Sequence, residues 1–521
     1  MKKLILFSVI VLLTSCASVE KHNKHLETPI APEKLRSDVD YAYKNLQKLH
    51  PNLYWYIPKN ELDRKFDSLK ATINQPINPS GFFEKLAPVI ADVREAHLQL
   101  VAPFRKFTRE ETKNLKNQKG LFSRMNYVID SNRIFVLDNA EKFENIKVGT
   151  EITKINDIPA SVYLERYKPF VHSDGFNTTF QRYSMARRWA NFFTVENGIL
   201  DSVKIQTKLG NEIKDLYIHR EKISREEKKK EEEQNKKLTK SEKGKTKDYN
   251  IQTKSYNRDL QFPLKDSTVA YMKIKTFSGV FSKRFYRQRF ETLKKSPAQY
   301  LILDVRDNLG GSLSEINNLY SYLVDTEFKF INDIEVTSAG SMFQANYFSG
   351  IPRIAVPIAV ATYPIYLGIT ALSIKKSGGK TYLRNNGIFG LKKPKKDSFK
   401  GKIYVLINGS SFSAASILPS KLKADGRAIL VGEETGGAND GTVAGRYSTK
   451  KLPHSKLKLP VGLMLIQPNI EFTGTKKGVT PHYEVIPTLE QVLQKKDIQL
   501  DWVMKDIEKN SVRMDLQALP D

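Results

Sequence analysis

The sequence predicts an α/β core preceded by a helical region and a β-rich unit, and three observations carry that prediction. From about residue 262 apolar strands alternate with amphipathic helices. STVAYMKI, QYLILDV, KIYVLI and RAILVGE read as strands, and SKRFYRQRFETLKKS and SLSEINNLYSYLVD as helices. Strands this uniformly apolar are buried on both faces, as in a sheet covered by helices. Between about 38 and 105 apolar residues recur at spacings of three and four, as in DRKFDSLKATI and FFEKLAPVIADV, which predicts helices. Between about 120 and 220 short alternating runs such as RIFVL, EITKIND and DSVKIQTKL predict strands.

In chain order, residues 1–16 carry Lys2 and Lys3, the apolar run LILFSVIVLL and then LTSC. That is the pattern of a secretory signal peptide and is too short to span a membrane. Small residues before Cys16 resemble the lipobox of bacterial lipoproteins. The resemblance implies export, lipidation at Cys16 and anchoring to a bacterial membrane, with the outer membrane or periplasmic side favoured. Cys16 is the only cysteine of the 521 residues, so an intramolecular disulfide, a thiol nucleophile and a cysteine-based zinc site are all excluded from the mature body. Residues 17–37 read as a polar tether, 38–115 as the helical region and 116–220 as the β-rich unit. Within the last, IKVGTEITKINDIPA sets Gly149 before a strand that ends in the turn Asn156-Asp157. This resembles the central segment of PDZ domains, although no glycine-rich carboxylate-binding loop is evident. Residues 221–260 interleave acids and bases and predict a solvated helix or a disordered insertion. The core spans 261–500 and a C-terminal tail 501–521.

The formal charge of +27 invites a nucleic-acid reading. Its distribution argues against one, because the insertion is mixed in sign and the basic run Lys375–Lys402 lacks regularly interleaved aromatics. Anionic headgroups or an acidic substrate fit an exported chain better. Just before that run, Ile354–Ile374 is apolar apart from Thr362, Thr370 and Ser373. A buried core segment, an interfacial surface and a membrane span are all open from sequence. Pro357, Pro364 and the following lysines (Lys392, Lys393, Lys395 and Lys396 among them) point to a hairpin 354–402 at a membrane face or over the active-site cleft, rather than a span.

Three segments carry chemistry. In VLINGSSFSAASILPSKLK a strand meets a tight polar turn, and Ser413 stands at the start of a helix. A helix N-terminus presents the free N–H of Ala414 to negative charge, although a serine there is also a common N-cap. Pro419 predicts a kinked or shortened helix. In LILDVRDNLGGSLSEINNL an apolar strand runs into a Gly310-Gly311 pair, where the backbone can approach a ligand closely. The spacing is not that of a dinucleotide-binding loop. In IADVREAHLQLVAP, His97 joins a helical run to an alternating strand; of the eight histidines, His22 and His25 lie in the tether and His50 reads as packed.

Taken together, DVREAH, DVRDNLGG and SFSAASILPSKLKADGRAILVGEETGG resemble the tail-specific (C-terminal processing) serine peptidases, nearer the tricorn-core and retinoid-binding-protein-like branch than the Ser/Lys branch. The resemblance covers most of residues 38–500. It implies a crotonase-like peptidase core, a PDZ-like domain, a polypeptide substrate and no cofactor or metal. It implies Ser413 as nucleophile, His97 as base, and Gly310 and Ala414 as oxyanion amides. The departures are specific. The lysine of the Ser/Lys branch is Ala438 here, which favours Ser/His chemistry. The acid that commonly stands three after the nucleophile is Ser416. The acid that orients the histidine is Thr475, and GVTPHYEV has His482 for the usual aspartate. Glu434, Asp440 and Glu471 are the candidates for the third triad member, and His454 is the alternative base. An α/β-hydrolase elbow is absent, and Ser420-Lys421-Leu422-Lys423 has no K-T-G partner. The non-enzymatic alternative is a catalytically impaired lipoprotein that binds peptides or a membrane surface.

Overall fold

The computed structural model describes residues 19–517 apart from 124, 140–145, 231, 234–247, 251–254, 280–281 and 385–389. Cys16 and the leader lie outside the described residues, as do much of the charged insertion and the end of the tail.

Apolar strands at the centre form a six-stranded sheet in the order Tyr483–Glu484, Ile429–Gly432, Lys402–Ile407, Tyr300–Asp304, Val269–Ile274 and Arg258–Gln261. Every neighbouring pair is parallel except the last. Alternate side chains point to opposite faces, and each face has its own cover. Leu301, Leu303, Ile403 and Val405 join the large core, together with the helices Leu313–Tyr320 and Ala414–Ala424. Ile302, Tyr404 and Leu406 pack instead against Val503 and Ile507 of the helix Ile498–Gln517. The residues expected as a tail after 500 therefore close the second face of the sheet.

The helices Pro32–Leu49, Lys59–Ala71 and Pro79–Ala91 bury Leu35, Leu46, Phe66, Phe82 and Ile90 in the same large core, so the N-terminal region is fused to the central sheet. Helix begins earlier than expected: residues 19–27 are helical, and the next helix starts at Pro32, inside the expected tether. Asp38, fully buried, accepts bonds from the amides of His454 and Ser455 and from the Ser455 hydroxyl, which ties that helix to a loop of the core.

An antiparallel sheet flanks the core in the order Ile374–Ser377, Lys380–Leu383, Glu335–Val336, Lys458–Ile466, Thr442–Lys451. The β-rich unit forms a third sheet from Met125–Asp130, Arg133–Asn139, Glu151–Ile155, Ser202–Leu209 and Glu212–His219, with Ile158–Pro159 beside it. Two helices within it, Ala160–Tyr167 and Thr179–Asn197, were not legible as such. The longer one buries Trp189 and Phe193 in the small core and turns Phe180 toward the central turns, so its apolar residues follow no single stripe. Pro419 sits inside an unbroken helix Ala414–Ala424 rather than ending it.

The apolar run 354–374 is not core. It forms the helix Val356–Leu372, of which only Ala359 and Thr370 are buried. Among the described residues no helix is long and apolar enough to cross a membrane.

One buried ion network ties the end of the charged insertion to the core. Arg258, wholly buried, donates to both oxygens of Glu315 at 2.7 and 2.8 Å and to Asp248 at 2.8 Å, and Tyr286 donates its hydroxyl to the same Glu315. Replacing Arg258 by Met leaves two buried carboxylates without a counter-charge. The expected loss is about 3–5 kcal/mol of unfolding free energy, read as a lower urea midpoint; an unchanged midpoint refutes the assignment.

Candidate active site

The strands Tyr300–Asp304 and Lys402–Ile407 lie side by side and parallel, paired from Tyr300↔Lys402 to Asp304↔Leu406. Their C-terminal ends reach the same sheet edge, so the glycine turn after one must meet the serine turn after the other. That edge is where open parallel sheets bind ligands.

The first turn is anchored by charge. Asp304 is fully buried and accepts bonds from Tyr271 and Arg306, with Lys273 at 2.9 Å. Burial opposes its ionisation, but the Lys273 and Arg306 cations hold its carboxyl well below the usual range. Arg306 reaches on to Asp497, so the Asp-Val-Arg segment is a clamp between strand end and C-terminal helix. Asp307, at φ +62°, exchanges two bonds with the Asn408 side chain. Asn308 then locks the turns together: its amide nitrogen donates to Ile274 O, its side-chain oxygen accepts from Gly310 N, and its carbonyl accepts from Phe412 N. Gly310 is compulsory. At φ +93° a Cβ would stand 2.7 Å from Phe412 O and 2.7 Å from Ser413 Cβ.

The hydroxyls of the serine turn separate cleanly. Ser410 accepts from Arg187, Ser411 donates to Val305 O, Ser416 donates to Ser411 O and accepts from Gly437 N, and Ser420 donates to Asn439 O. All four residues are buried. Ser413 alone is part-exposed, and its hydroxyl makes no hydrogen bond among the described residues. Its backbone stands at φ +56° and ψ −121°, a conformation that costs a non-glycine residue about 1–3 kcal/mol. It makes no side-chain cap, so the capping reading does not apply to it.

His97 packs on Phe412, the residue before Ser413: the two rings stack at 4.6 Å, and Phe412 stacks in turn on Phe180 at 4.4 Å. Tight packing around the imidazole lowers its pKa to about 4. No hydrogen bond joins His97 to Ser413 among the described residues. The His97 Nδ1 instead meets Thr442 Oγ1 at 3.1 Å.

Behind Thr442 stand two buried carboxylates that sequence reading missed. Asp174 accepts from Ala96 N and Ala438 N, and Glu95 accepts from Val443 N; the Thr442 hydroxyl lies near enough to both to favour their charged forms. Burial raises Asp174 to about 6, and burial together with the Asp174 charge raises Glu95 well above its ordinary value. At neutral pH Asp174 is thus the ionised member. A threonine hydroxyl has one proton to donate. Given to a carboxylate, it leaves the oxygen to accept from His97 Nδ1–H, the tautomer that frees Nε2.

The acids expected to orient His97 are engaged elsewhere. Glu434 accepts from Asn177 and Gly478 N, Asp440 accepts from Thr473 and Gly474 N, and Glu471 is exposed. Ala438, in place of a lysine, is buried against Asp174. Of the other histidines, His50 is buried as expected, His454 has its backbone capped by Asp38, and His482 Nδ1 accepts from Leu430 N. One oxyanion expectation also changes: the Gly310 N–H is held by Asn308, whereas Ala414 at the first helical position has no intrahelical partner for its N–H. A cavity of about 1120 Å³, lined by Tyr127, Tyr183, Arg187, Leu309 and Asn408, lies between the small sheet and the two turns. Its walls include neither Ser413 nor His97.

No curated protein matches the chain by sequence. Among solved structures, mature CPAF is similar at a TM-score of 0.58 and 15% identity, covering 89% of this chain and 94% of that one. Mature CPAF complexed with lactacystin gives a TM-score of 0.60 at 15% identity, over 91% of this chain and 98% of that one. At such identity the likeness establishes a shared fold across nearly the whole length. The model of Peptidase family S41 matches residues 268–485, which include the glycine turn, Ser413 and Thr442. Over residues 268–485 the chain is thus similar to Peptidase family S41, and that match marks it as a peptidase.

Proposed function

We propose that this peptidase is a serine endopeptidase of the tail-specific type, with Ser413 as nucleophile and His97 as base, acting on exported polypeptides from a lipid anchor at Cys16. In this reading residues 116–220 are a PDZ-like unit and 261–500 a crotonase-like core of the Ser/His branch. One observation carries the mechanism: in a turn of many serines, Ser413 keeps an uncommitted hydroxyl among the described residues, on a strained backbone at a helix start, and a histidine stacks on the preceding Phe412.

His97 Nε2 takes the hydroxyl proton as Ser413 Oγ attacks the scissile carbonyl, and the developing oxyanion faces the Ala414 N–H at the helix N-terminus. The imidazolium is stabilised by the Asp174 charge acting through Thr442. It then protonates the leaving amine, and water releases the acyl group by the reverse sequence. Thr442 and Asp174 do the positioning for which Glu434, Asp440 and Glu471 were the candidates from sequence. The His97–Ser413 bond, absent here, would form as substrate binds; such bonds are often long or unmade in free enzymes.

A fluorophosphonate probe should label the wild-type protein and fail to label Ser413→Ala. Equal labelling of both would mean that another residue is the nucleophile.

The pH dependence distinguishes the two titrating groups. His97 is depressed to about 4, so it is already neutral throughout the range in which Asp174, raised to about 6, gains or loses its charge. As pH falls through 6 the Asp174 carboxylate is protonated and the imidazolium loses its stabilising charge. The acid limb of kcat/KM should therefore sit near pH 6. In Asp174→Asn, kcat should fall about 10²–10⁴-fold and the limb should move toward pH 4. A limb that stays in place in Asp174→Asn would exclude that residue from the relay.

A further inference from the structure

We propose that the helix Val356–Leu372 and the basic hairpin after it form a docking face for an anionic lipid surface. The helix is apolar around its whole circumference, a composition that belongs in a core or against lipid. Here it projects into solvent, with Ile354 90%, Ile358 68%, Ile365 63% and Leu372 77% exposed. Its attachment to the body is polar and aromatic. Tyr347 shares a hydrogen bond with Thr362, Tyr347 and Phe348 pack on Tyr363 and Tyr366, and Arg446 lies over the Tyr366 ring. The free surface is therefore a compact apolar ridge on the outside of the enzyme, of the kind that marks a binding face.

Charge selects the occupant. The hairpin Ile374–Ser377/Lys380–Leu383 continues directly from the helix; Lys376 and the adjoining Arg384 reach solvent, while Lys375 and Lys380 pair with Asp333 and Glu335. Neither Lys376 nor Arg384 has a carboxylate within ion-pair distance among the described residues. An isologous contact between two copies would set this basic hairpin against a chain of equal charge, on a molecule whose formal charge is already +27. Lipid phosphates complement it instead, at about 1 kcal/mol for each lysine or arginine near the surface, or roughly fivefold in affinity. Seventeen helical residues rise about 25 Å, short of the ~30 Å hydrocarbon core, so the ridge lies in the interface and does not cross it. The same element packs through Arg446 onto the strand Thr442–Lys451, which begins at the relay threonine. A membrane-bound enzyme would thus hold its catalytic edge at a fixed orientation to the lipid.

The test uses the chain beginning at residue 17, which carries no leader and no acyl group. Flotation is measured with vesicles of phosphatidylcholine alone and of phosphatidylcholine mixed with phosphatidylglycerol, at low and high salt. Expected is binding to the mixed vesicles that weakens with salt, falls roughly fivefold for each of Lys376→Gln and Arg384→Gln, and falls at least tenfold in Ile358→Ser/Ile365→Ser. Both isoleucines are solvent-exposed, so these variants should keep wild-type peptide cleavage and thermal midpoint. Absence of binding to the mixed vesicles overturns the proposal, as does equal binding to both vesicle types. So does a wild-type dimer in sedimentation that the isoleucine variant makes monomeric without any vesicle binding, since the ridge would then belong to a second copy.

Discussion

Asn308 holds the candidate site together, because two turns from adjacent parallel strands must be fixed against each other before any chemistry can be placed there. Its side chain fills both roles of an amide, donating to Ile274 O and accepting from Gly310 N, while its carbonyl accepts from Phe412 N. Buried groups with all their bonds made are rigid, and the same network half made is costly. The positive φ of Ser413, the glycine at 310 and the stacked position of Phe412 all follow from this lock. The strain at Ser413 is sustained because the surrounding bonds leave it no alternative.

The electrostatics of the site run in a consistent direction. An imidazole packed among aromatic rings, as His97 is, loses its affinity for a proton, which keeps it neutral but makes its cation expensive. The buried acid pair offsets that: Asp174 is raised to about 6, Glu95 is raised well above its ordinary value by burial and the Asp174 charge, and Thr442 stands between acid and imidazole.

Much of this was legible in the sequence, for identifiable reasons. Uniformly apolar strands announced the central sheet, and the small residues around Ser413 and the Gly310-Gly311 pair announced the two turns, because backbone that must pack this closely tolerates little else. Thr442 and Asp174 left no such mark. They sit in NDGTVAG and VHSDGFN, ordinary turn compositions, and acquire a role only when folding brings them 345 residues across the chain to His97 in one case and against the Ala96 amide in the other. The helix Thr179–Asn197 was missed because it faces two different neighbours, and the tail because a single covering helix gives a weak stripe. The helix 356–372 failed in the opposite sense. Its composition fits a core, and no pattern in the sequence shows that it is left outside.

The anchoring of the charged insertion bears on how freely this chain can change in length. On one side, Ile223 N donates to Asn117 O and Lys119 N donates to Glu221 O; on the other, Asp248 is gripped by the buried Arg258. Both ends are therefore fixed to the folded body independently of what joins them. Lengthening the intervening stretch changes only the entropy of closing a loop, about 0.6 kcal/mol for each doubling. Related chains can be expected to vary most in size here, with the sheet edge that carries the two turns unaffected.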